Sequence, residues 1–190
     1  MTELISRAVD AEVDLLQIRE RDLSARDVLS LADFSAGIAK GSNTRILVND
    51  RADIAACAGV GVHLTTRSLN PRDIREAFGR EAFGSELLMG ASTHSLEEAE
   101  NAALGGVDFV VFGPIFETES KREFGPPLGL EALARVTSRL RIPVLALGGI
   151  NGQNFRKVLE ARAAGIAGIS IFSEAGNLKR LVKEIKDSAG

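Results

Sequence analysis

A chain of 190 residues with 45% apolar content can bury one good core, and it reads as a single domain over 1–190. A formal net charge of −3 and a pI near 5.5 argue against a nucleic-acid binder built on a basic face. No apolar run approaches the roughly 18–20 residues that span a bilayer, and the amino terminus has no charged-then-apolar leader pattern, so a cytoplasmic protein away from membranes is expected.

In chain order, residues 1–11 form a helix with Leu4, Ile5, Ala8 and Val9 on one face. A strand at 13–18 ends in Arg19-Glu20-Arg21. Ser24 caps a helix to about residue 40, with Asp27 in its first turn. A strand at 45–48 ends at Asn49-Asp50, a short helix covers 52–58, and Gly61–Leu64 is a short strand. The single cysteine, Cys57, rules out an internal disulfide and reads as a buried thiol in that helix. Asn70-Pro71 opens the next helix, with proline in its first turn. A strand at 86–91 runs into Ser92-Thr93-His94, and Ser95 with Glu98 forms a capping box for a helix to about 104. The run 108–112 is short, β-rich and bounded by turn residues, as a buried parallel strand is.

The stretch 113–129 is the longest connection without helical or strand periodicity. It carries Thr118, Ser120 and Lys121 at close spacing, and Gly125-Pro126-Pro127 stiffens its return. A donor-rich loop leaving a strand end suits an anionic ligand, and a solvated surface loop is the plain alternative. A helix at 130–140, a strand at 143–147 ending in Gly148-Gly149, a helix capped by Asn151 to about 164, a strand at 167–171 and an amphipathic helix at 175–186 complete the chain.

Strands and helices alternate in units of roughly 20–30 residues, which calls for a parallel sheet covered by helices. Near-equal units favour a (β/α)₈ TIM-type barrel, of which seven strands are countable; the first is not among them, its place either ahead of residue 1 or filled by another segment. Arg19, Asn49-Asp50, Ser92-Thr93-His94, the 118–121 cluster, Gly148-Gly149 and Ser173 all follow strand carboxyl ends, the face where barrels hold their sites.

Gln17, Arg19 and Arg21 alternate along an extended chain and so share one face. Arginine binds phosphate bidentately and stays charged, which suits a pyrophosphate; pairing of Arg19 with Glu20 or Asp22 is the structural alternative. Asp50 is a candidate Mg²⁺ ligand, since that ion takes one or two carboxylates plus phosphate oxygens, and equally a candidate helix cap. Gly148-Gly149, then Gly168 and Phe172-Ser173, match the phosphate-binding positions after the last two strands of a barrel, or else simple turns. His63 reads as structural, and His94 as helix-entry packing, with ligand contact at a strand end the alternative.

Gln17-Ile18-Arg19-Glu20-Arg21, Val48-Asn49-Asp50-Arg51, Gly61-Val62-His63-Leu64, Ser92-Thr93-His94, Phe112-Gly113-Pro114-Ile115-Phe116 with Thr118-Glu119-Ser120-Lys121, Pro126-Pro127-Leu128-Gly129-Leu130 and Gly148-Gly149-Ile150, taken in order, resemble the thiamine-phosphate synthase and thiazole tautomerase family. The match runs from about residue 13 to 173. The resemblance implies a (β/α)₈ barrel whose usual first strand lies just before residue 1. It also implies a transfer of the hydroxymethylpyrimidine group from its pyrophosphate ester to a thiazole phosphate, with Mg²⁺ and release of pyrophosphate. Carried over by motif, Gln17, Arg19, Arg21, Asn49, Ser92 and Lys121 would hold the pyrimidine pyrophosphate, with Arg19, Asn49 and Lys121 stabilising the departing charge. Asp50 would bind Mg²⁺, and Thr118, Ser120, Gly149, Phe172 and Ser173 would hold the thiazole phosphate. The implied partners are small phosphorylated substrates, with homo-oligomer formation left open.

Two departures bear on the reading. Where the synthases carry Gly-Gln-Glu-Asp, whose aspartate is a second metal ligand, this chain has Thr65-Thr66-Arg67-Ser68. Arg21 replaces a lysine, as in the tautomerase branch, yet Pro114 stands where that branch has its histidine, and Asp50 is kept. The balance favours the synthase over the tautomerase and over a non-catalytic ligand binder.

Overall fold

The computed structural model describes residues 2–20, 22–78, 87–118 and 126–189. Residue contacts group the chain into two compact units, Met1–Gly90 and Ala91–Gly190. The first contains α1 (Thr2–Asp10), β1 (Leu15–Ile18), α2 (Ala25–Ala39), β2 (Arg45–Asn49), α3 (Ala52–Cys57), β3 (Gly61–Leu64) and α4 (Pro71–Ala77). Then follow β4 (Met89–Thr93), α5 (Leu96–Leu104), β5 (Phe109–Phe112), α6 (Gly129–Arg139), β6 (Val144–Leu147), α7 (Phe155–Glu160), β7 (Gly165–Ala167), α8 (Ser170–Ser173) and α9 (Leu178–Ala189). The seven strands are hydrogen-bonded in chain order, and β1–β2, β2–β3, β5–β6 and β6–β7 pair in parallel. Strand after strand in this order, each returned by helix, is the succession of a (β/α) barrel.

The local signals act as their chemistry requires. Ser24 accepts the Asp27 N–H at 3.2 Å to start α2, and Asn70 accepts the Arg72 N–H at 2.9 Å ahead of Pro71 in α4. Ser95 accepts the Glu98 N–H at 3.0 Å; the Glu98 carboxylate answers one residue further out, taking the His94 N–H at 2.7 Å. All four residues of β3 and of β5 are buried, because a parallel strand is covered on both faces. Val48, Val62 and Ala55 fill the first unit's core, and Val110, Leu133, Phe155 and Val158 that of the second.

Several boundaries differ from those expected. The strand expected at 86–91 is Met89–Thr93, so Ser92 and Thr93 lie within it. The last strand is Gly165–Ala167 instead of 167–171, because its ladder ends where Leu147 pairs with Ala167 and β6 runs out. Phe172 and Ser173 consequently sit in a helical turn, α8, both N–H groups bonded to Ile169 O. Asn151 is not the N-cap of a helix: its side-chain amide oxygen accepts the Gln153 N–H at 2.9 Å in a turn, and α7 starts only at Phe155. Cys57 is exposed, since α3 turns Ala52, Ala55 and Ala56 inward at i, i+3, i+4 spacing and its last residue falls off that face.

Candidate active site

In the first unit, three paired strands end side by side. Ile18 pairs with Val48, and Asn49 with His63, which sets the ends of β1, β2 and β3 at one edge. The Gln17 amide donates through Nε2 to Asn49 Oδ1 at 2.8 Å. This leaves the Asn49 NH₂ as a donor for something else. Arg19 is exposed just beyond β1 and, among the described residues, makes no ion pair, Glu20 and Asp22 included. His63 is buried, and burial, followed by the nearby positive charge of Arg19, pushes its imidazole down to about 4, so it stays neutral at physiological pH.

Asp50 adopts the left-handed conformation, with φ 65, its N–H donating to His63 O at 2.8 Å. One of its carboxylate oxygens, Oδ1, accepts the Ser68 hydroxyl. The residue capping α3 is Arg51, whose side chain makes no cap bond and instead holds Asp53 through two bonds of 2.9 and 2.6 Å. The capping role left open for Asp50 thus falls away, and its exposed carboxylate remains available. Among the described residues no three His, Cys, Asp or Glu side chains gather to hold an ion. That donor set does not make a closed protein cage, but it fits Mg²⁺, which keeps waters and phosphate oxygens around one or two carboxylates.

In the second unit, β5 leads into 113–118 and β6 into Gly148-Gly149. The two exits run side by side: Ile115 N–H donates to Leu147 O at 2.8 Å and Phe116 N–H to Gly148 O at 3.0 Å. Gly148 and Gly149 have φ of 98 and 64, and a Cβ on Gly149 would lie 2.5 Å from Glu117 O. Only glycine permits that approach. Asn154 donates its amide to Gly149 O at 2.9 Å while accepting the Asn151 N–H at 2.8 Å, which fixes the diglycine turn. Thr118 is half-buried at the end of the described part of its loop, and Ser92 is half-buried in β4. Phe172 and Ser173 are half-buried on α8. A cleft of about 510 Å³ beside the β6 and β7 ends is lined by Ile150, Gly152, Ser170, Asn177 and Arg180 among others.

Gln17, Asn49 and Asp50 are therefore brought together by adjacent strands, and Gly149 is brought to the loop that carries Thr118. Arg21, Ser120 and Lys121 lie outside the described residues. Sequence reading did not anticipate the placement of three residues. Ser68 holds Asp50, and its signal was a second hydroxyl three positions after Thr65. Asn154 holds Gly149, signalled by the Asn151-Gly152-Gln153-Asn154 turn. Ser170 is the first hydroxyl after β7, hidden by a strand drawn too long.

The comparisons concern the chain as a whole. The family model described as thiamine monophosphate synthase matches residues 1–172. A relative from Geobacter sulfurreducens is 41% identical over 168 residues, covering 88% of this chain and 76% of its own. The thiamine-phosphate synthase of Roseiflexus sp. is 35% identical over 171 residues, with coverage of 90% and 70%. Among solved structures, thiamine phosphate pyrophosphorylase from Pyrococcus furiosus superposes with a TM-score of 0.85 at 28% identity, covering 99% of this chain and 88% of that one. Strand order and sequence match together define a (β/α)-barrel protein. The chain belongs to the thiamine monophosphate synthase family.

Proposed function

We propose that the chain is a cytoplasmic thiamine-phosphate synthase, a transferase that joins the pyrimidine pyrophosphate ester to the thiazole phosphate and releases pyrophosphate. The reaction breaks the carbon–oxygen bond to pyrophosphate and forms a bond from that carbon to the thiazole nitrogen. No protein nucleophile is required. What the protein must supply is stabilisation of charge on the leaving group and placement of the incoming ring.

The observation that carries this reading is the cluster at the ends of β1 and β2, where the amide pair Gln17–Asn49 adjoins Asp50. In our reading the Asn49 NH₂, oriented by Gln17, donates to a pyrophosphate oxygen, and Arg19 neutralises that group; Arg21, Ser92 and Lys121 are assigned to the same substrate. Asp50 would hold Mg²⁺, which supplies positive charge to the phosphate oxygens when bound. Thr118, Ser120 and the Gly149 backbone, with Phe172 and Ser173, are assigned to the thiazole phosphate. Pyrophosphate release by the purified protein, given both substrates and Mg²⁺, tests the proposal; absence of release while one substrate alone is isomerised would replace it with the tautomerase reading.

A further inference from the structure

Ser68 stands at the centre of a hydrogen-bond chain with a single direction. Its Oγ accepts the Thr65 N–H at 2.8 Å and donates its one proton to Asp50 Oδ1. With that proton committed, the 3.2 Å contact between the two hydroxyls must be donated by Thr65, whose oxygen in turn receives the Arg67 N–H at 3.3 Å. Three donors in series thus end on one carboxylate oxygen, each polarising the next. On the backbone side Asp50 is held at φ 65 by its bond to His63 O. An exposed aspartate without these ties would sample several rotamers, and here it is fixed from both ends.

We propose that Ser68 is a positioning residue of the cation site: it engages Oδ1 of Asp50 so that Oδ2 faces the metal ion accompanying pyrophosphate. This rests on the reading of Asp50 as metal ligand given above. The plainer role, closing the 65–68 turn, would affect folding stability without affecting cation affinity.

Mn²⁺ with inorganic pyrophosphate, titrated with the full chain and followed by water-proton relaxation enhancement, separates the two roles without turnover. Ser68→Ala is expected to weaken Mn²⁺ binding about tenfold or more, as removal of a partner to a metal ligand generally does. Ser68→Thr, which keeps the hydroxyl, should restore most of it and guards against a folding artefact. In the coupled reaction Ser68→Ala should raise the Mg²⁺ concentration for half-maximal rate. Native Mn²⁺ affinity in Ser68→Ala, with Asp50→Asn impaired, overturns the positioning role alone. Native affinity in both variants, or no binding by the native protein, overturns it together with the metal assignment of Asp50.

Discussion

Gln17 and Asn49 share a 2.8 Å hydrogen bond between side-chain amides on neighbouring strands, so neither amide is oriented independently of the other. If Asn49 serves the pyrophosphate, Gln17 serves it through Asn49. Asn49→Ala should cost about 1.5–3 kcal/mol in kcat/KM, the range for a hydrogen bond to a charged group. Gln17→Ala should cost about 0.5–1.5 kcal/mol, and the double variant less than the sum. Strict additivity in the cycle would separate the two residues.

Asp50→Asn keeps a side chain that tolerates the left-handed backbone but removes the carboxylate charge. The Mg²⁺ dependence of pyrophosphate release should shift to higher concentration; an unchanged curve removes Asp50 from the metal. Asp50→Ala places a less tolerant residue at φ 65, and Asp50→Gly relieves that strain, so thermal unfolding should rank Gly above Ala by about 1–2 kcal/mol.

Gly149→Ala would press a methyl against Glu117 O at 2.5 Å and Phe116 Cβ at 2.7 Å while holding φ 64. We expect a loss of at least about 2 kcal/mol in urea unfolding, combining backbone strain with overpacking, and weaker thiazole phosphate affinity. Gly152→Ala, where a Cβ meets nothing within 4 Å, should stay within about 0.5 kcal/mol of native. Equal behaviour of the two would mean that the β5 and β6 exits are not tightly joined.

His63 gives stability a pH dependence of defined sign. Its folded-state value, about 4, lies below the 6.5 of the unfolded chain. Below 6.5 the unfolded state takes up a proton that the folded state refuses, so stability falls with pH between 6.5 and about 4 and is full above that window. The loss across the window is on the order of 3 kcal/mol. His63→Gln should flatten this part of the profile in urea titrations at several pH values; a profile identical to native would assign the acid loss to other groups.

Much of this protein was legible in its sequence. Apolar runs such as 109–112 have one explanation, a strand covered on both faces, and caps such as Ser24, Asn70 and Ser95 mark helix starts through short-range chemistry. The errors arose where tertiary partners decide. Gly165–Ala167 stops as a strand because β6 stops, a fact invisible in the residues 167–171 themselves. Cys57 sits in an apolar run, yet facing is set by the last turn of a six-residue helix. At the site, motif order singled out Gln17, Asn49, Asp50 and Gly149, each a strand-end residue whose type alone suggests an anion or cation contact. It noted Ser68 only as the replacement of a carboxylate and gave Asn154 no role, because both hold another residue across a loop.

The described ends of the 113–129 loop meet. Leu128 N–H donates to Pro114 O at 2.8 Å and Gly129 N–H to Ile115 O at 3.2 Å, while 115 and 116 are bonded to the β6 exit. The segment between these anchors can therefore be exchanged as a cassette, since its departure and return points are already joined. Loop closure grows only with the logarithm of length, about 0.6 kcal/mol per doubling. A change of length there should therefore cost little stability, with the strands left untouched.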